Sequence, residues 1–303
     1  MPEAVIVNPF MHPDVIVHLR DDQHIVEDRV TVGHAHDMRL GAGAYTAKTL
    51  LEHGWSVEIV DAIGDDIFGD YTFRASVEAG FGMDHVVRYR GSHMFLLSVA
   101  DRKSRGGTMI SSCPPDWQRP AAEIESSILA APSASVYYIW SWFWSYANAN
   151  LQELSATGLV KAIRQKATLV ALDPNWKPPD NPPAHEVDDL LAALPDIDIL
   201  KLNRRDAAVI IGEKDSETTV RELHDRGASL VVLTLGEDGC ALGGRDVSGV
   251  VFIPSAASQP VNTTGAGDAF GGALVADFAL HGDPLRAAHS ATEHVSRFLR
   301  GTP

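Results

Sequence analysis

Short β-rich runs and helical stretches alternate along most of this chain, and that alternation limits the folds open to it. Residues 4–7 read as a strand. Residues 44–53 read as a helix stopped by Gly54, 57–60 as a strand, and 68–79 as a helix stopped by Gly80. Strand-like runs recur at 135–139, 168–172, 197–200 and 229–234, with helical patterns near 148–165, 186–193 and 218–226 between them. Strands joined through helices run parallel and are covered on both faces, so an α/β fold with a mostly parallel central sheet is expected. A chain of 303 residues, 45% hydrophobic, can form one such domain over residues 1–303.

Two stretches break the rhythm. Residues 15–31 and 86–110 read as β with turns and no intervening helix; 94–100, a polar turn at 101–107, and 108–111 form a hairpin signal. Strands inserted into an α/β domain commonly cover its site, so a small β lid is expected from segments of about 12–38 and 86–112. Proline-rich patches at 114–115 and 178–183 read as surface loops.

The formal net charge of −15 argues against nucleic acid and anionic membranes as partners. A polyphosphate substrate would then need local compensation by metal ions or backbone amides. Cys113 and Cys240 are too few and too far apart for a disulfide framework or a zinc site, which suits a reducing, cytoplasmic setting. The start Met-Pro-Glu-Ala shows no leader pattern, and no run of about 18 apolar residues suggests a membrane span.

The sharpest chemical signal is Asn262-Thr263-Thr264-Gly265-Ala266-Gly267-Asp268. Phe270, Leu274 and Phe278 follow at intervals of four, so the glycine turn opens a helix with a buried face. The first N–H groups of a helix have no internal partner, and the helix dipole adds positive potential. Glycine lets an anion approach that backbone closely. An Asp in the first turn stands beside the anion, where it can take a proton from an incoming hydroxyl. Those are the needs of phosphoryl transfer. The same residues also read as an ordinary helix start with a capping Asp. The run is neither a Walker A loop nor a Gly-x-Gly-x-x-Gly turn.

Residues 262–270 resemble the C-terminal signature of the PfkB/ribokinase family of carbohydrate and nucleoside kinases. Further resemblances follow in the family's order. Ile63-Gly64-Asp65-Asp66-Ile67-Phe68-Gly69 is similar to its Gly-x-Asp-x-x-Gly segment, and Leu172-Asp173-Pro174-Asn175 to its Asp-x-Asn segment. Lys201-Leu202-Asn203-Arg204-Arg205-Asp206 is similar to its Asn-x-x-Glu element, and Thr234-Leu235-Gly236-Glu237-Asp238-Gly239 to its Thr-x-Gly turn. The resemblance implies a ribokinase-like three-layer fold with a β lid, and ATP and Mg²⁺ as cofactors. It implies Asp268 as base, with the amides of Gly265, Ala266 and Gly267 as the anion hole. It places Asn203 near the triphosphate, Asp206 behind Mg²⁺ through water, and Thr234, Gly236 and Thr264 along the ATP. A homodimer through the lid is a further implication.

The chain departs from the family pattern at several positions. Asn262 replaces the usual Asp; an amide ligates through oxygen without charge, which weakens the case for K⁺ activation. Asp206 stands where Glu is usual. Leu40-Gly41-Ala42-Gly43-Ala44-Tyr45 stands where the family has Gly-Gly-x-x-x-Asn, so a phenol replaces a sugar-binding amide. Asp14, Gly41 and Tyr45 are therefore the expected acceptor-side residues, with Asp14 in the place of a hydroxyl-binding Asp. The aromatic run at 136–146 reads as either a wall for a base or sugar face, or core packing. His34 and His36 read as a solvated pair, His93 and Met94 as structural, and Asp65-Asp66 as a turn or a metal pair. The expected activity is ATP-dependent phosphorylation of a sugar or sugar-acid hydroxyl. The alternatives are a nucleoside kinase and a catalytically silent ligand-binding protein on the same fold.

Overall fold

Side-chain parity along the first strand, β1 (Glu3–Val7), shows how the layers form. Ala4 and Ile6 enter one hydrophobic core, and Val5 and Val7 enter another. Successive side chains of a strand point to opposite faces, so a strand feeding two cores is covered on both sides. The structure is a computed structural model and describes residues 1–19, 33–100, 108–112, 120–140, 156–176, 182, 184–256 and 263–300.

The elements run β1, β2 (Pro13–Leu19), β3 (Gly33–Leu40), α1 (Ala44–Glu52), β4 (Ser56–Gly64), α2 (Ile67–Glu78), β5 (Gly82–Tyr89), β6 (Phe95–Ala100) and β7 (Thr108–Ser112). Next come α3 (Ala121–Ala130), β8 (Ala134–Trp140), α4 (Ala156–Arg164), β9 (Ala167–Asp173), α5 (Ala184–Ala193), β10 (Ile199–Asn203), α6 (Arg204–Ile211) and α7 (Ser216–Asp225). The chain then forms β11 (Leu230–Thr234), β12 (Cys240–Gly244), β13 (Val247–Ile253), α8 (Ala266–His281) and α9 (Pro284–Leu299). A nine-stranded sheet has the order β13-β12-β11-β10-β9-β8-β1-β4-β5, and a four-stranded sheet has the order β3-β2-β6-β7. In the large sheet the pairings of β12 are antiparallel and the others parallel. Helices α3 to α7 contribute to one core, and α1, α2, α8 and α9 pack on the other. The three-layer α/β fold expected from the alternation is the observed one.

The expected second lid segment, 86–112, is corrected at its start. β5, which contains Val86 to Tyr89, pairs in parallel with β4 at the edge of the large sheet. Val86 packs toward one core and Val87 toward the other, the mark of a strand covered on both faces. The small sheet therefore takes β6 and β7 from that stretch, with β2 and β3 from the first. The expected strand at 197–200 lies later, at Ile199–Asn203, because Pro195 holds Leu194–Asp196 in a 3₁₀ turn. The 101–107 turn, the loop at 178–181, Cys113, Asn262, the aromatic run beyond Trp140 and the start of the helix expected at 148 lie outside the described residues.

Helix α8 is apolar on nearly every side. Its residues from Ala269 to Asp277 are all buried, and it packs between α1 and α9. Such a helix belongs inside the molecule. Its polar N-terminus then emerges beside the C-terminal ends of the parallel strands, where ligands bind in open α/β sheets.

Candidate active site

The start of α8 differs from the other well-capped helices. Side chains of Asp66, Asn203, Asp215 and Asp283 cap α2, α6, α7 and α9, accepting from the first free amides. Helix α8 begins at Gly265, with φ of 81° and no side-chain cap. The Ala266 amide closes the turn onto Thr263 O at 3.1 Å, and the Ala269 amide makes the first helical bond to Gly265 O at 2.8 Å. Of the three amides expected to hold an anion, that of Ala266 is therefore partly committed to the turn.

Tyr45 lies under this turn. A Cβ on Gly265 would come within 2.7 Å of the phenol ring, so only glycine fits there, on both steric and φ grounds. The ring also meets Phe298 edge-on, at 5.8 Å between centroids and 89° between planes. Burial pushes the Tyr45 hydroxyl up to about 12. Expected as an acceptor-side residue, Tyr45 is placed by the structure as the floor of the glycine turn.

Asp268 sits in the first turn of α8, and its carboxylate is held from the end of β8 and from the segment just past β9. Trp140 Nε1 donates to Asp268 Oδ1 at 2.9 Å, and Asn175 Nδ2 donates to the same oxygen at 3.3 Å. Thr46 Oγ1, on α1, donates to the Asp268 carbonyl at 3.1 Å and steadies the backbone behind it.

Register explains why these groups meet. Trp140 is opposite Asp173 in the β8–β9 pairing, and Ala171 is opposite Ile199 in the β9–β10 pairing. One pleat further, Asp173 and Lys201 share a face. Trp140, Asp173 and Lys201 thus form a row across three strands on the α8 side. Lys201 Nζ donates to Asp173 Oδ2 at 2.6 Å, and both are buried. A Cβ on Gly267 would stand 3.4 Å from that Nζ, so the lysine lies against the first turn of α8. Burial alone would lower the Lys201 pKa, but Asp173, Asp268 and Asp206 more than offset it and hold it above the usual value. Tyr138 donates to Asp173 at 3.5 Å, and its hydroxyl is pushed well up by burial and the neighbouring carboxylates.

On the expected nucleotide side, Asn203 caps α6. Its Oδ1 accepts from the Arg205 and Asp206 amides at 2.9 and 3.0 Å, and its Nδ2 donates to Asp206 Oδ2 at 2.8 Å. Asp206 is 0% exposed, so it suits orienting a neighbour or a water better than direct metal ligation. Thr234, at the end of β11, donates to Leu202 O at 3.3 Å, and Gly236 turns the chain with φ of 67°. Thr264 is exposed at the turn before α8. Among the described residues no group of three or more His, Cys, Asp or Glu could hold a metal on its own.

On the small sheet, Asp14 is 2% exposed and packs against Gly41, where a Cβ would collide with its carboxylate. His12 Nε2 lies 3.1 Å from Asp14 Oδ1, and His12 Nδ1 lies 2.7 Å from Phe10 O. Arg39 is the cross-strand partner of Asp14, so their side chains share a face of the small sheet. Arg39 nevertheless forms no ion pair with Asp14. Its guanidinium lies 5.9 Å over the Tyr45 ring and interacts with the phenol, and its buried Nε has no hydrogen-bond partner among the described residues.

Asp65 and Asp66 serve the turn. Asp66 caps α2, and its Oδ2 accepts from the His93 amide at 3.0 Å; Asp65 Oδ1 accepts from the Gly91 amide at 2.9 Å. Together they tie the entry of β6 to the large sheet. His36 is exposed on β3. Cys240 is buried, and burial pushes its thiol up to about 11, out of reach of thiolate chemistry. Asn175, Thr46 and the pair Asp173–Lys201 carry no role in the sequence analysis. The signal for Lys201 is a lone cation inside the apolar strand Ile199-Leu200-Lys201-Leu202.

The profile of the pfkB family carbohydrate kinases matches residues 15–296. The chain belongs to this family. As a pfkB family carbohydrate kinase it is an ATP-dependent phosphotransferase with an alcohol acceptor. It is 27% identical over 237 residues to fructokinase-1 of Oryza sativa subsp. japonica, covering 78% of this chain and 72% of that one. Shorter matches are 33% identity over 113 residues to an ATP-dependent 6-phosphofructokinase of Thermoanaerobacterium thermosaccharolyticum and 36% over 89 residues to a cytidine kinase of Thermococcus kodakarensis. They cover 34% and 32% of those proteins and 37% and 29% of this kinase. The phosphofructokinase-2 of Escherichia coli, solved with fructose-6-phosphate, superposes with a TM-score of 0.77 at 16% identity, over 98% of this chain and 94% of that one. That likeness concerns the fold. Among the described residues no helix is long and apolar enough to cross a membrane.

Proposed function

We propose that this pfkB family kinase transfers the γ-phosphoryl of ATP to a hydroxyl of a sugar or sugar acid, with Asp268 as the base. The carrying observation is the Asp268 carboxylate, held at 2.9 Å by Trp140 at the uncapped start of α8. The acceptor hydroxyl gives its proton to Asp268 as its oxygen attacks the γ-phosphorus. The β,γ-bridging oxygen leaves with ADP. The Gly265 and Gly267 amides, with Ala266 sharing its own with the turn, and the Lys201 ammonium take up charge on the moving phosphoryl. Mg²⁺ would neutralise the phosphate oxygens. Asp206 would orient a water on that ion, and Asn203, Thr234, Gly236 and Thr264 would line the nucleotide.

Asp14 and Gly41 bind the acceptor, and the small sheet closes over it. Arg39 favours an acceptor with a carboxylate, because this half-buried guanidinium has no anionic partner among the described residues and is suited to hold an anion. Met38, Val15, Leu97 and Ile110 stand in one register row on the opposite face of that sheet, with Met38 and Ile110 exposed. This apolar row supports a homodimer through the lid, which light scattering tests. The protein's setting is read as cytoplasmic.

The testing experiment measures ADP release with D-fructose, D-ribose, D-gluconate and cytidine as acceptors, for the wild type and Asp268→Asn. Turnover of a sugar or sugar acid is expected, with kcat about 10³-fold lower in D268N. Turnover of cytidine alone would establish the nucleoside reading, which the partial likeness to a cytidine kinase favours. Full activity in D268N would overturn the mechanism.

A further inference from the structure

We propose that Trp140 is a positioning residue for the base: its indole N–H fixes the rotamer of the Asp268 carboxylate that receives the acceptor's proton. The inference rests on the reading of Asp268 given above. Three observations carry it. First, the Trp140 Nε1 to Asp268 Oδ1 distance is 2.9 Å, and the donor is the last residue of a strand whose backbone is fixed in the middle of the large sheet. Second, Trp140 is 4% exposed, so its N–H has little water to turn to; a buried indole takes a protein acceptor, and here that acceptor is the reactive carboxylate. Third, the indole cannot easily swing away. Its ring packs against Phe10 with centroids 6.4 Å apart, and Asp173 stands beside it in register.

A carboxylate in a helix first turn has rotational freedom about two bonds. Proton transfer in step with phosphoryl attack needs one orientation within a few tenths of an ångström. Trp140, at the end of β8, and Asn175, just past the end of β9, both donate to Oδ1 and so restrict the rotation of the carboxylate. The tryptophan is the stiffer of the two, since its donor is part of a rigid ring and Asn175 lies beyond the end of β9 with φ of 46°.

The test replaces Trp140 with β-(3-benzothienyl)alanine, which keeps the bicyclic shape and lacks the N–H, alongside W140F and D268N. The first readout uses the protein alone. In a ¹⁵N-tryptophan spectrum the indole signal of Trp140, assigned by its loss in W140F, is expected to move downfield of a free indole and to shift in D268N. An indole signal unmoved by D268N would overturn the proposal. The second readout is kinetic, with whichever of D-fructose, D-ribose, D-gluconate or cytidine is turned over best. The benzothienyl variant is expected to lose about 10- to 100-fold in kcat with the KM for ATP within about twofold and the melting temperature preserved. Unchanged kcat with a raised acceptor KM would make Trp140 a plain pocket wall and overturn the positioning role. An inactive D268N beside a fully active benzothienyl variant would sink this inference alone. A fully active D268N would sink the base itself.

Discussion

Lys201 Nζ lies 2.6 Å from Asp173 Oδ2, an ion pair almost sealed from solvent in a chain whose net charge is −15. The pair is more than a tether between β9 and β10. It delivers positive charge to the first turn of α8, against Gly267, while keeping the lysine's own charge balanced. Replacing Lys201 by Met removes the cation and leaves Asp173 buried and uncompensated. Breaking such a pair costs about 3–5 kcal/mol. K201M is expected to show that loss in urea unfolding, together with a raised KM for ATP. An unchanged unfolding midpoint would show that Asp173 finds another partner.

Gly265 has φ of 81° and the Tyr45 ring 2.7 Å from where a Cβ would stand. Alanine there meets both the left-handed penalty of about 1–2 kcal/mol and the ring. G265A is expected to lower kcat about a hundredfold or more by displacing the glycine turn. Y45F removes only the hydroxyl and is expected to keep the turn and the activity. Steady-state kinetics of the two variants side by side decide whether the ring or the hydroxyl of Tyr45 matters.

Arg39 gives a prediction about substrate. R39A is expected to raise the KM for D-gluconate about tenfold, the effect of losing about 1.4 kcal/mol of binding, and to leave the KM for a neutral sugar unchanged. Equal effects on both acceptors would assign Arg39 to shaping the lid and not to holding an acid.

His294 makes stability depend on pH. Burial, then His53 and Arg297, push its pKa from 6.5 down to about 4; Glu52, 3.8 Å away, is mostly in solvent and offsets little. The unfolded chain therefore binds a proton near pH 6.5 that the folded chain refuses until about pH 4. Stability from this residue is present above about pH 6.5 and lost as pH falls toward 4. His53 is shifted in the same direction, by burial first. The urea midpoint is expected to fall between pH 7 and 4, and to fall less steeply in H294Q. An identical slope in the variant would remove His294 from the account.

The layered fold was legible because its signals are local. Alternating elements, the glycine stops at Gly54 and Gly80, and the helix period of Phe270, Leu274 and Phe278 need no knowledge of distant residues. Asp268 and its turn were legible for the same reason. What was hidden depends on register. Trp140 reaches Asp268 across 128 residues of chain, and Asn175 reaches it across 93. Trp140 stood in an aromatic run that suited a core equally well. The motif position of Tyr45 points to the acceptor side but carries no sign that the packing of α1 on α8 sets its ring under Gly265. β5 carries no local sign of which sheet it joins, because Val86 and Val87 are each half-buried against a different core and break the alternation.

The row Trp140, Asp173, Lys201 has a consequence for how this enzyme comes into being. Its members sit on three neighbouring strands, and they face a helix that enters only near the end of the chain. Contacts this distant in sequence slow folding, because a long loop must close before they are made. Under the reading proposed above, a chain emerging from the ribosome cannot complete this site until α8 has been made and seated against those three strands.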